Sequence, residues 1–277
     1  MEFYRIQSGR YVFYAKVLTD ESISVFIGSK KNPMCMLILI DASLAILQSV
    51  SYDERCSSNE PMPRKIGTRE MVNGALTFIK WLFPNIEHLS VTDEAVFECN
   101  GKKIPNSNMS FILHGKTWYE RYFHAEPVDK ENYEELKRLY YHSKLHDTAF
   151  QRIWDHSLCL TPIPRNDALA LYKSSTTWSE FYKSIYKAYQ CVPFIHITVY
   201  SPFALFSPRK KTLVTETWTI PLGGGDAHII AINGDEFPEM DWKPLKPQRK
   251  RLFGGLMKVR RYQQMYIGDD MDEEGVS

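Results

Sequence analysis

The sequence lacks the long apolar run and the N-terminal signals that would direct a protein into or across a membrane. Its longest uninterrupted apolar run, from Met34 to Ile40, has seven residues, whereas a membrane-spanning helix needs roughly 18 or more. The N-terminal segment has neither a basic stretch followed by an apolar one nor a myristoylation glycine. We therefore expect a soluble protein that does not enter a membrane and is not secreted.

Paired cysteine motifs are also missing. The chain has five cysteines, an odd number, and no two of them form a CxxC pair. Such a scattered set is typical of reduced thiols in a cytosolic protein rather than of a disulfide framework, and it gives no support for a zinc site. The five cysteines are Cys35, Cys56, Cys99, Cys159 and Cys191.

The sequence has no strong charge of either sign. Its 34 Lys and Arg residues nearly balance 33 Asp and Glu residues, which gives a formal net charge of +1. This balance argues against a protein that binds nucleic acid over its whole surface. Aromatic residues, by contrast, make up 13% of the chain, which indicates extensive aromatic packing or contact surface. A length of 277 residues allows one large domain or two small ones.

The apolar patterns predict strands first and helices later, which is an α+β fold. Polar turns separate strand-like segments that are rich in β-branched and aromatic residues. A helix follows them, because apolar residues recur at helical spacing from Val72 to Phe83 before Pro84 ends the pattern. The predicted strands are Tyr11–Leu18, Ile23–Ile27, Cys35–Ile40, Leu44–Val50 and Leu89–Val91, followed by an aromatic helix at Trp118–Phe123.

The middle of the chain is predicted to be helical. Asp129 is placed to cap a helix with a Tyr133–Tyr140 apolar face, and Thr177 to Glu180 has the spacing of a capping box. Strand patterns return at Val192–Tyr200 and Leu213–Ile220. We expect a mixed-sheet domain at 1–126, a helical segment with a closing strand at 127–200, a β-hairpin-like segment at 201–242 and a C-terminal extension at 243–277.

The order of elements up to Phe123 resembles the acetyltransferase fold of the GNAT superfamily. In that family a glycine-containing loop before a helix binds the pyrophosphate of coenzyme A through backbone N–H groups. The resemblance implies an acetyl-CoA site at Arg64, Gly67, Thr68 and Arg69, although Arg69 stands where the family has a small residue. The alternative reading of the same residues is a basic loop, capped by Thr68, that leads into a core helix.

Tyr119 or Tyr122 is the general acid that the resemblance implies. The family places this tyrosine before a Gly-Phe pair, whereas here Gly115 precedes Tyr119. The alternative is that the tyrosines of this helix fill a core. The Gly115-Lys116-Thr117 sequence is not a P-loop, because Ser110 stands where that motif requires a glycine.

Other chemical motifs are weak. His142 and His146 lie four residues apart, but no zinc-peptidase glutamate follows the first, so surface or capping roles are favoured. There is no Gly-x-Ser-x-Gly sequence and no cysteine with a catalytic context. No metal site is predicted.

A second resemblance concerns the run from Gly115 to Phe123 together with Thr177-Trp178 and Cys191. These residues are similar to a group of uncharacterised proteins of nucleocytoplasmic large DNA viruses. The resemblance implies a viral origin and a location in the host cytoplasm or the virion. It transfers no functional residue.

The C-terminal extension predicts a partner-binding arm. From Lys243 to Arg261 it has eight basic residues and no acidic one, with prolines and glycines that favour an extended chain. Viral or host proteins are the expected partners, and nucleic acid is the weaker possibility. The residues expected to bind them are Lys243, Lys246, Arg249, Lys250, Arg251, Arg260 and Arg261.

Two functions remain open at the level of sequence. The favoured one is a non-catalytic structural or interaction protein without a cofactor, a minor virion or capsid-associated component of a large DNA virus. The alternative is an acetyl-CoA-dependent N-acetyltransferase, for which the sequence names no base.

Overall fold

The structure is a computed structural model. It describes residues 1–20, 22–51, 53–93, 96–99, 102–105, 107, 110–111, 114–142, 150–151, 164–189, 217–223 and 226–237. The strands are β1 (Glu2–Ser8), β2 (Tyr11–Thr19), β3 (Ile23–Gly28), β4 (Met36–Asp41), β5 (Leu44–Val50), β6 (His88–Thr92), β7 (Val96–Cys99), β8 (Lys102–Pro105), β9 (Glu126–Pro127), β10 (Thr217–Pro221) and β11 (Ala227–Ile232). The helices with defined bounds are α1 (Arg64–Leu82), α2 (Trp118–Phe123), α3 (Lys130–His142), α4 (Arg165–Ser174) and α5 (Trp178–Tyr189).

The fold is α+β, as the sequence predicts, with a nine-stranded mixed sheet in the order β11-β1-β2-β3-β4-β5-β6-β10-β9. Strands β1 to β5 form an antiparallel meander, and β11 pairs antiparallel with β1. Strand β6 is parallel to β5, and α1 connects the two because parallel neighbours need a crossover connection. Strands β7 and β8 form a separate antiparallel pair.

The described residues divide into two compact units. The first contains residues 1–92, 122–125 and the described residues from 218 onward. The second contains the described residues of 93–121 and 126–217.

One face of the sheet forms the core of the first unit. Ile6 lies opposite Phe13, and Val17 opposite Val25, which in turn lies opposite Ile38. All five side chains are buried, and each contributes about 1.5–3 kcal/mol by leaving water. The same face continues through the buried residues Tyr4, Ala15, Ile27, Met36, Ile40, Ala45, Leu47, Leu89 and Val91.

Helix α1 covers this face and runs antiparallel to β1. Near its start, the Glu70 carboxylate accepts a hydrogen bond of 3.0 Å from the hydroxyl of Ser8. Near its end, the ring centroids of Phe78 and Tyr4 are 5.0 Å apart. The predicted helical spacing is confirmed, and α1 ends at Leu82, directly before the Phe83-Pro84 pair.

The connection from β5 to α1, here called the crossing segment (residues 53–63), lies across one end of the meander. The backbone N–H of Ser58 donates to the carbonyl of Val12 at 2.8 Å. The side-chain oxygen of Asn59 accepts from the N–H of Val12 at 2.9 Å. A disulfide bond joins Cys56 of this segment to Cys35, beside the start of β4. These contacts place the start of α1 next to the turn between β1 and β2.

The Cys35–Cys56 disulfide contradicts the expectation that the cysteines are reduced. The two residues are 21 positions apart and fully buried. Sequence spacing gave no signal for this pair, because it forms only where the crossing segment passes β4.

The second unit has a helical, aromatic core. Tyr140, Tyr172, Trp178, Phe181 and Tyr182 are buried, and their rings meet at centroid distances of 5.0 to 6.4 Å. Such edge and tilted contacts stabilise a core beyond the area that they bury. The predicted Tyr133–Tyr140 apolar face of α3 is confirmed, because Tyr133, Leu136 and Tyr140 are buried.

Both predicted helix caps are present. Asp129 accepts a hydrogen bond of 3.2 Å from the N–H of Asn132 at the start of α3. At the start of α5, the hydroxyl of Thr177 accepts from the N–H of Glu180 at 3.3 Å, and the Glu180 carboxylate accepts from the N–H of Thr177 at 3.3 Å. These are the reciprocal bonds of a capping box.

The predicted hairpin-like segment at residues 201–242 contains two described strands, β10 and β11. Strands β10 and β11 do not pair with each other: β10 lies beside β6, whereas β11 pairs with β1. Local alternation identifies a strand but not its distant partner. The predicted strand at Val192–Tyr200 lies outside the described residues.

Candidate functional site

The segment that the resemblance assigns to pyrophosphate is helical. Helix α1 begins at Arg64 and has Pro63 as its N-cap, so Gly67, Thr68 and Arg69 lie within its first turns. The N–H of Gly67 donates to the carbonyl of Pro63 at 2.8 Å. The loop expected at Arg64–Arg69 is therefore absent, and Thr68 is not the cap that the alternative reading assigned to it. The physical reason lies at Pro63, four residues before Gly67. Pro63 has an extended backbone, so the preceding segment ends there and the helix begins before Gly67.

Gly67 is a packing residue. It is buried, and a Cβ added to it would lie 2.5 Å from the Cβ of Met62 and 3.1 Å from the Cγ. Met62 itself is 2% exposed. The space that a glycine leaves for a phosphate in the resemblance is occupied here by a methionine of the crossing segment.

The structure does bring two of the predicted site residues together. The guanidinium carbon of Arg69 lies 5.6 Å from the centroid of the Tyr122 ring, which is cation–π geometry. Arg69 also lies 3.9 Å from the carboxylate of Glu70, and Glu70 is bonded to Ser8. Arg69 is therefore engaged by a ring and a carboxylate, although 41% of its side chain is exposed.

Tyr119 lies in the second unit and is only 6% exposed. Burial, and then the negative charge of the buried Asp93, raise the pKa of its phenol. The phenol therefore stays protonated at neutral pH. A proton donor must also reach the group that it protonates, and burial in this core does not favour such a role.

The Gly115-Lys116-Thr117 sequence joins two helical segments. Gly115 has φ of +69°, and its N–H donates to the carbonyl of Phe111 at 2.6 Å, as in a glycine that ends a helix. Thr117 directly precedes α2, and its carbonyl accepts from the N–H of Arg121 at 3.0 Å. A Cβ at position 115 would lie 1.5 Å from the hydroxyl oxygen of Tyr141. Helix termination and close packing thus explain the glycine that suggested a phosphate loop.

A polar network that the sequence did not suggest links α2 to α3. Lys137 donates to the carboxylate of Glu120 at 2.7 Å, and the hydroxyl of Tyr133 donates to the same carboxylate. The ammonium of Lys137 lies 4.7 Å from the Tyr133 ring centroid. Burial first, and then the bond to Glu120, raise the pKa of Tyr133. The charges of Lys137 and Glu120 are paired and the phenol of Tyr133 is protonated, so the network holds α2 and α3 together.

The remaining site predictions involve residues that lie at least partly outside the described part of the chain. His142 is exposed at the end of α3, whereas His146 lies outside the described residues. In the part of the chain that the structure describes, no three His, Cys, Asp or Glu side chains are grouped to hold a metal ion. The predicted arm residues from Lys243 to Arg261 lie outside the described residues.

Comparisons with known proteins identify no relative. No protein-family model, no curated protein and no solved structure matches the chain. None of the described helices is long and apolar enough to cross a membrane.

Proposed function

We propose that the protein is a non-catalytic structural or interaction protein. The observation that carries this proposal is the packing of Met62 against Gly67. It counts against the backbone cradle that the acetyl-CoA reading needs at this glycine, because Gly67 is buried and its N–H donates to the carbonyl of Pro63. A packing role accounts for this glycine without a ligand.

The two candidate proton donors support the same proposal. Tyr119 is buried, and the ring of Tyr122 is covered by the guanidinium of Arg69. A general acid works through a short contact with the group that it protonates. Packing and cation–π contact account for both tyrosines without a substrate.

The setting that we propose for this function rests on the resemblance and on the basic arm. The similarity to proteins of large DNA viruses implies a minor virion or capsid-associated component, and the basic arm from Lys243 to Arg261 supplies a surface for an acidic viral or host protein. In this proposal the folded units act as a scaffold and the arm makes the contact.

The first experiment is thermal unfolding of the full chain with and without millimolar acetyl-CoA. A ligand that binds only the folded state adds about 2.7 kcal/mol of stability at a hundredfold excess over its dissociation constant. We expect no change in Tm. A clear rise that is kept when the exposed Lys183 is replaced by Ala would overturn the proposal.

The second experiment tests the arm in the full-length protein. Replacing Arg249, Lys250 and Arg251 by Glu should abolish co-sedimentation with purified virus particles if the arm makes the contact. The matched control makes the same change of charge at the exposed helix residues Lys173, Lys183 and Lys187. Equal co-sedimentation of both triple variants would contradict a role for the arm.

One observation favours the alternative, an acetyl-CoA-dependent N-acetyltransferase. Strands β5 and β6 are parallel neighbours in the sheet, and α1 connects them along the chain. The β4–β5 register shifts between Leu37 and Ile38, which leaves Gln48 as an extra residue on β5. Bulges of this kind are common beside ligand sites. If this reading holds, the site lies at that bulge, and Gln48→Ala should weaken acetyl-CoA binding.

A further inference from the structure

In the part of the chain that the structure describes, one edge of the terminal strand β11 has no partner strand. Among the described residues β11 pairs with β1 alone, through a register that runs from Phe3 opposite Ile232 to Ser8 opposite Ala227. No residue of the strand is buried, and Ile230 is 39% exposed. A strand with one free edge presents unpaired N–H and C=O groups to any other strand that approaches.

This edge lacks the usual protection against pairing. The six residues of β11, Ala-His-Ile-Ile-Ala-Ile, include no proline and no Asp, Glu, Lys or Arg, and the β1–β11 register is regular. The other terminal strand of the sheet, β9, has only two residues, Glu126 and Pro127. Short strands, charges and prolines are the devices that keep edges from pairing, and of these two terminal strands only β9 has them.

An exposed tryptophan adds an apolar group near the same edge. Trp81 at the end of α1 is 53% exposed, and its ring lies edge-on to that of Tyr4 at 5.7 Å. Tyr4 is the register partner of Ala231, so Trp81 lies on the α1 side of the sheet near β11. Tryptophan is enriched among the residues that dominate binding energy.

The chain after β11 turns away from the free edge. Residues 233–237 form a turn in which the N–H of Phe237 donates to the carbonyl of Asn233 at 3.1 Å. The Phe237 ring then packs on Phe3 of β1 at 4.2 Å and on Tyr14 of β2 at 5.6 Å. Residues 233–237 thus run toward β1 and β2, whereas a hairpin partner for β11 would have to run along its other edge.

We propose that β11 is a self-association surface and that its partner is β11 of a second copy of this chain. Among the described edge strands, β7 carries Glu98 and β8 carries Lys102, Lys103 and Pro105, so β11 is the described edge without a charge or a proline. Pairing between copies through this edge joins β11 to β11. Antiparallel pairing about a twofold axis uses the same surface on both copies and closes after two. With the axis at Ile230, the two Ile230 side chains face each other and His228 lies opposite Ile232 of the other copy.

The inference is independent of the arm and of any cofactor. It predicts a dimer held by main-chain hydrogen bonds and by apolar contacts of Ile230. The exposed Asp226 and Asp235 lie beyond the two ends of the strand, where the twofold brings carboxylates of like charge near each other. Raising the salt concentration to about 0.5 M should therefore not weaken the dimer, because salt screens this repulsion.

The test is sedimentation of the full-length protein over a hundredfold concentration range, roughly 2 to 200 μM. We expect a monomer–dimer equilibrium. Ile230→Lys should weaken it by at least about tenfold, because two lysines would then face each other in place of two isoleucines. The matched control is Leu44→Lys, since Leu44 is 45% exposed on the interior strand β5; it should leave the equilibrium unchanged.

Hydrogen exchange of the same samples gives an independent readout. Backbone amides of β11 should become more protected as the dimer forms, whereas those of β3, an interior strand, should not change with concentration. A monomer at all concentrations would overturn the proposal. So would an equal effect of Ile230→Lys and Leu44→Lys, or a dimer that dissociates when salt is added.

Discussion

Met62 occupies the space beside Gly67, because a Cβ at position 67 would lie 2.5 Å from the Met62 Cβ. Gly→Ala inside a helix usually stabilises it, by roughly 1 kcal/mol. Here we expect Gly67→Ala to lower the free energy of unfolding by about 1–3 kcal/mol, the range for overpacking a filled core. Urea unfolding followed by far-ultraviolet circular dichroism measures the change.

The control for this prediction removes the obstacle. In a Met62→Gly background, which lacks the Cβ and Cγ that would lie nearest to the new methyl group, Gly67→Ala should cost less than it does alone. A Gly67→Ala variant that is more stable than the parent protein would contradict the packing role of this glycine.

The Cys35–Cys56 disulfide should stabilise the first unit. It closes a loop of 21 residues in sequence separation, for which the chain-entropy estimate is about 3 kcal/mol. Replacing both cysteines by Ser should lower stability by that order, and a reducing agent should lower the Tm of the parent protein but not that of the double variant. Mass spectrometry of the alkylated, non-reduced protein checks the bond; two alkylated thiols at these positions would refute it.

Substitutions of Gly115 and Tyr141 should have coupled effects on the free energy of unfolding. Gly115→Ala requires a non-glycine residue at φ of +69°, which costs roughly 1–2 kcal/mol, and it also displaces the Tyr141 hydroxyl, which lies 1.5 Å from the new Cβ. We expect a loss of about 2–4 kcal/mol in total.

A double-variant cycle separates these two causes. In a Tyr141→Ala background the cost of Gly115→Ala should fall to that of the backbone alone. Gly223→Ala, where nothing lies within 4 Å, should change stability by less than about 0.5 kcal/mol. Equal costs of Gly115→Ala in both backgrounds would show that Tyr141 is not the obstacle.

Replacing Lys137 should lower the free energy of unfolding more than replacing an exposed lysine that is also paired with a glutamate. The side chains of Lys137 and Glu120 are 23% and 16% exposed, so Lys137→Met leaves a half-buried carboxylate without its cation. We expect a loss of roughly 1–3 kcal/mol. Lys130→Met removes a pair with Glu126 whose side chains are 67% and 62% exposed, and it should cost less than about 0.5 kcal/mol. Chemical unfolding of both variants gives the comparison, and similar costs would contradict it.

The phenol of Tyr4 should make stability fall at alkaline pH. Burial, followed by the hydrogen bond to Glu2 and its charge, raises the pKa of Tyr4 from 10.0 to about 12. The folded state therefore keeps a proton that the unfolded state loses, so this contribution is present below pH 10 and is lost as pH rises through about 12. Between these values the parent protein should lose stability faster than Tyr4→Phe; parallel curves would contradict the raised pKa.

Local patterns predicted most of the individual elements. Polar turns and β-branched residues identified β2 to β5, and β5 has the predicted bounds Leu44–Val50. The helical spacing of Val72 and Leu76 identified α1. These succeed because amphipathic periodicity and capping act over a few neighbouring residues. Strand β1, by contrast, was not predicted.

The candidate site was predicted less well. Arg69 and Tyr122 were both singled out, and the structure brings them into contact. The role of Gly67 was not predictable, because the same short glycine sequence fits a loop or a helical turn. What decides between them is Pro63 at the helix start and Met62 packed against the glycine.

The sequence by itself determined the α+β class, the helical pattern of α1 and the caps of α3 and α5, since each depends on neighbours within one or two turns. Only the tertiary structure decided that Cys35 meets Cys56, that β11 pairs with β1, and that Met62 fills the space at Gly67. The first two pairs join residues that are far apart in the chain. Met62 and Gly67 are close in sequence, but they meet only because the helix begins just after Pro63. The energies of all three pairs come from contacts that exist only once the chain has folded, so no local pattern records them.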